Sequence, residues 1–135
     1  MITAVSSHVP PDTSGQPLAA WMNTLIDYVQ SARPDLTNRQ MALLMVVYLL
    51  PGPHTVRGLA ARLQVAKPVV TRALNTLGSL GYVRRQKDAI DRRNIFIEQT
   101  PPGLAFLNEF AELLERTEGH DNADHGQRER RRTAH

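Results

Sequence analysis

Lys67, Thr71, Arg72 and Asn75 stand four, one and three residues apart, a spacing that sets them on the outer side of one helix. Ammonium, hydroxyl, guanidinium and carboxamide make that side rich in hydrogen-bond donors. A planar guanidinium suits bidentate pairing with guanine. The chemistry is that of reading base edges in a DNA major groove. In isolation the same pattern describes an ordinary amphipathic helix with a basic outer side, so its meaning rests on its surroundings.

Charge is the first of these. From Gly52 to Gln99 nine basic residues stand against Asp88, Asp91 and Glu98, a balance of +6 in a chain whose total is +3. The middle of the chain is therefore suited to a polyanion, nucleic acid before membrane. No convergent catalytic set accompanies it. His8, His54, His120, His125 and His135 share no metal-ligand spacing with carboxylates on a helix, and there is no P-loop, dinucleotide fingerprint or nucleophile elbow. His120 and His125 with Asp121 and Asp124 form only a weak metal candidate, so neither metal, cofactor nor enzymatic activity is expected. The absence of cysteine removes disulfides and thiol switches. No basic segment followed by an apolar core opens the chain, and the run Met41 to Leu50 is far shorter than the roughly 20 residues of a membrane span. A cytoplasmic, nucleoid-associated protein is expected.

The elements that would carry the donor-rich side can be read in turn. Residues 1–16, with Pro10, Pro11 and Gly15, read as a flexible arm. Leu18, Trp21, Met22, Leu25, Ile26 and Val29 then repeat at helical spacing from Pro17 until Pro34 ends the pattern. That stripe faces either a core or a second chain. Thr37 and Gln40 form a capping box for a second helix, whose run MALLMVVYLL is apolar all round and should be the buried centre. Thr55 caps a third helix over Val56 to Leu63, and Gln64-Val65-Ala66 leads into the fourth, Ala66 to Gly81. There Pro68 suits the first turn, Gly81 the stop, and Val70, Leu74, Leu77 and Leu80 the inner face. Tyr82 to Gln86 and Asn94 to Gln99 read as strands around the charged KDAIDRR, and a last helix is expected after Thr100-Pro101-Pro102-Gly103. Residues 117–135 have no large apolar side chain and read as a disordered polar tail.

The fold class is thus mainly α with a small β-hairpin: a winged helix-turn-helix over 17–116, with the helix-turn-helix at 55–80, the wing at 82–99 and a helix at either end. Its blocks resemble the MarR family of bacterial transcription regulators, a resemblance that implies the end helices to be dimerisation helices. Leu59-Ala60 with Leu63 matches "LA..L"; Lys67-Pro68 and Val70-Thr71-Arg72 match "KP.VTR"; Leu77 with Gly81-Tyr82-Val83 matches "L...GYV". Asp88 with Asp91-Arg92-Arg93 matches "D..DRR", and Thr100 with Gly103 matches "T..G". The likeness runs from about Leu36 to Phe110. Gln99, where the family has Leu, and Gly58, where it often has a polar helix former, depart from the pattern.

The resemblance implies that Lys67, Pro68, Val69, Thr71, Arg72 and Asn75 lie at or beside the major groove. It implies that Asp91 and Arg93 act as an Asp-x-Arg pair whose Arg enters the minor groove, where a narrow groove concentrates negative potential and a nearby carboxylate holds the guanidinium at one angle. Arg84, Arg85, Lys87 and Arg92 then fall to phosphates, which set affinity and salt dependence. Arg57 and Arg62 stay ambiguous. The family closes its dimer with the N-terminal helix and two long C-terminal ones, whereas this chain has one last helix of some fifteen residues. A homodimer must then rest on Leu18, Trp21, Leu25 and Val29 with Leu107, Phe110, Leu113 and Leu114. The implied function is a repressor, less often an activator, on a pseudo-palindromic operator. A small-molecule effector between DNA-binding and dimer regions is also implied, with Trp21, Tyr48 and Phe106 as lining candidates that serve equally as core. Two other readings remain open: a winged-helix protein-interaction module, and an architectural protein binding DNA without sequence preference, helped by Arg128, Arg130, Arg131 and Arg132.

Overall fold

The computed structural model describes residues 16–116. The expected N-terminal arm, Gln16 apart, and the expected tail lie outside the described residues. Two compact units are distinguished, residues 34–110 and a second formed by residues 1–33 and 111–135.

In the first unit each helix begins where local chemistry allows it. Thr37 caps α2 (Asn38–Leu49) through a complete capping box, its hydroxyl accepting from Gln40 N at 3.1 Å while Gln40 Oε1 accepts from Thr37 N at 2.9 Å. Thr55 accepts from Gly58 N at 3.0 Å to open α3 (Val56–Leu63). Gln64 then takes a left-handed conformation, φ 54°, and Val65 N reaches back to Ala60 O, a Schellman closure that turns the chain into α4 (Lys67–Ser79). Pro68 sits in the first turn of α4. The same closure ends that helix, with Gly81 at φ 78° and Tyr82 N donating to Leu77 O at 2.9 Å. Val70, Ala73, Leu74 and Leu77 are buried, as are Leu43, Leu44 and Val47 of α2 and Leu59 and Ala60 of α3. Each larger side chain in this core contributes about 1.5–3 kcal/mol. The second helix is buried along one face only, however: Leu49 and Leu50 are exposed at its C-terminal end.

The wing is an antiparallel pair, β2 (Val83–Lys87) with β3 (Ile95–Gln99), each within a residue of its expected bounds. A third strand was not legible. β1 (His54–Thr55) adds to the other edge of β3, pairing His54 with Ile97 and Thr55 with Phe96, so the sheet order is β1-β3-β2. β3 is consequently central, hydrogen-bonded along both edges, and it packs against α2 and α3.

The last helix, α5, starts earlier than expected. It runs from 101 to 116, with Pro101 and Pro102 in its first turn, where a missing N–H leaves no intrahelical bond unmade. Thr100 caps it: Gly103 N donates to Thr100 Oγ1 at 3.2 Å and Leu104 N to Thr100 O at 3.0 Å. The Thr100 hydroxyl itself donates to Gly81 O at 2.6 Å. Tyr48 completes this junction, accepting from Thr100 N at 2.8 Å and lying 2.8 Å from Tyr82 O. A Cβ on Gly103 would overlap the Tyr48 hydroxyl and the Tyr82 carbonyl oxygen, which is the physical content of the "T..G" block. Tyr82 also stacks on Phe106, ring centroids 4.7 Å apart. Gln99 is accommodated by donating from Nε2 to Val47 O at 3.2 Å.

In the second unit, α1 (Pro17–Gln30) buries Thr24 and Tyr28. Leu18, Trp21, Met22, Leu25, Ile26 and Val29, the stripe that could have faced a core, are all exposed in the single chain, Val29 by 67%. Among the described residues no helix is long and apolar enough to cross a membrane.

Candidate nucleic-acid interface

The helical phase of α4 is fixed by its buried residues, and that phase decides what points outward. Lys67, Pro68, Thr71, Arg72 and Asn75 are exposed and Val69 is half-buried. The six expected major-groove positions thus occupy the accessible side of the N-terminal two-thirds of the helix. No side chain caps the N-terminus of α4, so its partial positive charge adds to that of Lys67.

Two clefts flank this side. One, of about 220 Å³, lies between the start of α3, the start of α4 and the wing, and brings Arg57, Lys67, Thr71, Arg93 and Asn94 together. Arg57, left ambiguous by the sequence, thus shares a cleft with Lys67, Thr71 and Arg93. The other, also about 220 Å³, lies between the start of α2 and α4, with Arg39 and Thr37 across from Arg72 and Thr76. Arg39, in the first turn of capped helix α2, is brought beside α4 only by the tertiary fold. Arg62 sits elsewhere, in a cleft of about 310 Å³ with Leu50, Pro53, His54 and Leu59.

The wing arginines divide by what they touch. Arg93 receives the expected partner: Asp91 Oδ1 accepts from Arg93 N at 3.1 Å and from its Nε at 3.2 Å, leaving the outer edge of the guanidinium free of that carboxylate. Arg84 points its Nε and Nη2 at Glu98 Oε2, at 3.2 and 2.8 Å, across the directly paired strand position. With 67% and 39% of the two side chains exposed, the pair is worth no more than about 1 kcal/mol. Arg85 Nη2 donates to the Thr71 carbonyl at 3.2 Å, tying β2 to the recognition helix. Lys87 and Arg92 are exposed.

Of the residues expected at a dimer interface, Leu18, Trp21, Leu25, Val29 and Leu114 are exposed, Leu107 is half-buried, and Phe110 and Leu113 are already buried in the single chain. Tyr48 is committed to the junction with Thr100 and Tyr82, and Phe106 is buried against Tyr82.

A helix-turn-helix whose second helix is followed by an antiparallel β-hairpin, the wing, defines a winged helix-turn-helix protein. Residues 35–94 match the model of the MarR family. Solved structures are similar to the chain. MarR itself is 26% identical, covering 88% of this chain and 96% of its own, with a TM-score of 0.56. The transcriptional regulator Tm0710 from Thermotoga maritima is 24% identical, covering 87% and 80%, with a TM-score of 0.69. MepR of S. aureus, solved as a complex with DNA, is 20% identical, covering 87% and 94%, with a TM-score of 0.66. Comparison with curated protein sequences gives no match.

Proposed function

We propose that the chain is a transcription regulator that binds double-stranded DNA sequence-specifically as a homodimer, acting as a repressor on a pseudo-palindromic operator in the cytoplasm. Recognition helix α4 enters the major groove with Lys67, Pro68, Val69, Thr71, Arg72 and Asn75, and Arg93, steadied by Asp91, enters the minor groove. The observation that carries the reading is the cleft in which Arg57, Lys67 and Arg93 converge beside Thr71. Arg57 and Lys67, with the outer edge of the Arg93 guanidinium that Asp91 leaves uncovered, raise the local positive potential and suit a phosphodiester backbone. MepR, a structural neighbour solved with DNA, supports the same use of the fold.

Arg72 supplies base discrimination of about 1–3 kcal/mol. Arg57, Lys87 and Arg92 serve phosphates, joined by Arg84 and Arg85 when DNA competes for their present partners. Dimerisation uses the exposed stripe of α1, with Leu18, Trp21, Leu25 and Val29 at its centre and Leu114 as a further contact. Six exposed apolar side chains on one short helix make a surface that water does not favour and a second copy would cover. A two-fold then sets two recognition helices about one DNA turn, roughly 34 Å, apart.

The test is selection of bound sequences from a library of random duplexes by the full chain, repeated across salt concentrations. An enriched inverted repeat, lost in Arg72→Ala, supports the proposal. Salt-sensitive binding with no enriched sequence replaces it with the architectural reading, and absence of binding to any duplex overturns it.

A further inference from the structure

Ile90, at the tip of the wing, is 96% exposed, more than any other large apolar residue described. The backbone on both sides of it is fastened. Asp88 Oδ1 accepts from Ile90 N at 2.9 Å, Asp88 N donates to Asn94 O at 3.0 Å, and Asn94 N donates to Asp91 O at 3.0 Å. These bonds hold the loop in successive tight turns, so Ile90 is presented outward instead of folding back on the hairpin. Its β-branched side chain is also stiff at χ1 and loses little freedom when covered.

A single exposed apolar residue needs no explanation on most surfaces. This one stands three positions from Arg93, whose guanidinium is already aimed by Asp91. Residues 87–93 hold Lys87, Arg92 and Arg93 against Asp88 and Asp91, a balance of 3 − 2 = +1, with Asp88 turned to Ile90 N and Asp91 to Arg93. That charge opposes a second copy of the same wing or a basic partner, and favours a polyanion. Duplex DNA offers both things the tip requires: phosphates for the flanking cations and, in the minor groove, walls of apolar deoxyribose, a place where proteins use Ile and similar side chains.

We infer that Ile90 is a minor-groove contact that packs against the deoxyribose walls beside Arg93 and biases the site under the wing toward narrow, A·T-rich sequence. The inference rests on the DNA-binding reading above. A narrow groove brings both walls within reach of a short branched side chain, whereas the amino group of guanine fills the groove floor. Ile90 thus adds specificity at base pairs that the recognition helix does not reach.

The experiment compares the full chain, Ile90→Ala and Arg93→Ala on the duplex recovered by selection, at several salt concentrations. Ile90→Ala should weaken binding about fivefold at each one, the effect of uncovering part of an apolar side chain. Its salt slope should match that of the unaltered chain, because an apolar contact releases no counterion, whereas Arg93→Ala should flatten the slope. The Ile90→Ala defect should shrink when A·T pairs under the wing are exchanged for G·C. Equal affinity of Ile90→Ala and the unaltered chain overturns the inference alone. A defect accompanied by dissociation of the dimer in sedimentation also overturns it, by making Ile90 a protein contact. Failure of the unaltered chain to bind any duplex overturns the functional reading first.

Discussion

Gly103→Ala places a methyl group where the structure has no room. Helix propensity alone would make the change stabilising by up to about 1 kcal/mol, since Gly103 lies in the first turn of α5. Packing opposes this. The new Cβ would overlap the Tyr48 hydroxyl and the Tyr82 carbonyl oxygen, and would stand 2.8 Å from Tyr48 Cζ. The carbonyl belongs to the backbone just after the Schellman turn of α4 and has little freedom to retreat, so the phenol must leave. It would forfeit the bond from Thr100 N at 2.8 Å and the one to Tyr82 O at 2.8 Å. Two lost hydrogen bonds at about 1 kcal/mol each, with a part-buried N–H left unsatisfied at about 1–3 kcal/mol, outweigh the propensity gain. The expected net loss is about 3 kcal/mol, seen in urea unfolding and as a fall in Tm of more than about 10 °C. Tyr48→Phe alone should lose about 1–2 kcal/mol. The double variant should lose less than the sum, because the hydroxyl no longer occupies the contested space while the carbonyl still does. A Gly103→Ala chain as stable as the original, or strictly additive losses, would refute the reasoning.

Two further outcomes follow from the caps and from α1. Thr37→Ala removes the acceptor of Gln40 N and should lower stability by about 1 kcal/mol in urea unfolding; a change within 0.3 kcal/mol, roughly the error of such a measurement, would show that water replaces the cap. Leu25→Glu alters a side chain already exposed in the single chain, so the far-ultraviolet spectrum should be retained while sedimentation reports a monomer. A retained dimer would remove the face of α1 from the interface.

Much of this protein is legible in its sequence because the governing interactions are local. The Thr37–Gln40 box, the Thr55 cap and the Gly81 stop each join residues no more than a few positions apart, so side-chain chemistry and spacing suffice to place them. The exposed side of α4 follows for the same reason: once Val70, Leu74 and Leu77 define the inner face, the helical repeat puts Lys67, Thr71, Arg72 and Asn75 outside. The two-residue β1 carries no alternation of its own and exists only because Ile97 and Phe96, more than 40 residues on, offer an open strand edge. The start of α5 was misplaced because two prolines read as a break, whereas Thr100, held by Tyr48 and Gly81 O, makes them the first turn.

Residue type marked the wing as basic and left its arginines interchangeable. Tertiary structure gave Arg84 to Glu98, Arg85 to the Thr71 carbonyl and Arg93 to Asp91. Periodicity likewise showed which side of α1 is apolar and was silent on what covers it, since an amphipathic stripe fits a core and a partner equally. The first four helices, the Thr37 and Thr55 caps and the outward chemistry of α4 follow from residue types and spacing alone, because contacts within a few residues set them. The third strand, the Tyr48 junction, the gathering of Arg57 with Lys67 and Arg93, and the exposure of α1 depend on residues tens of positions apart, and only the folded chain decided them.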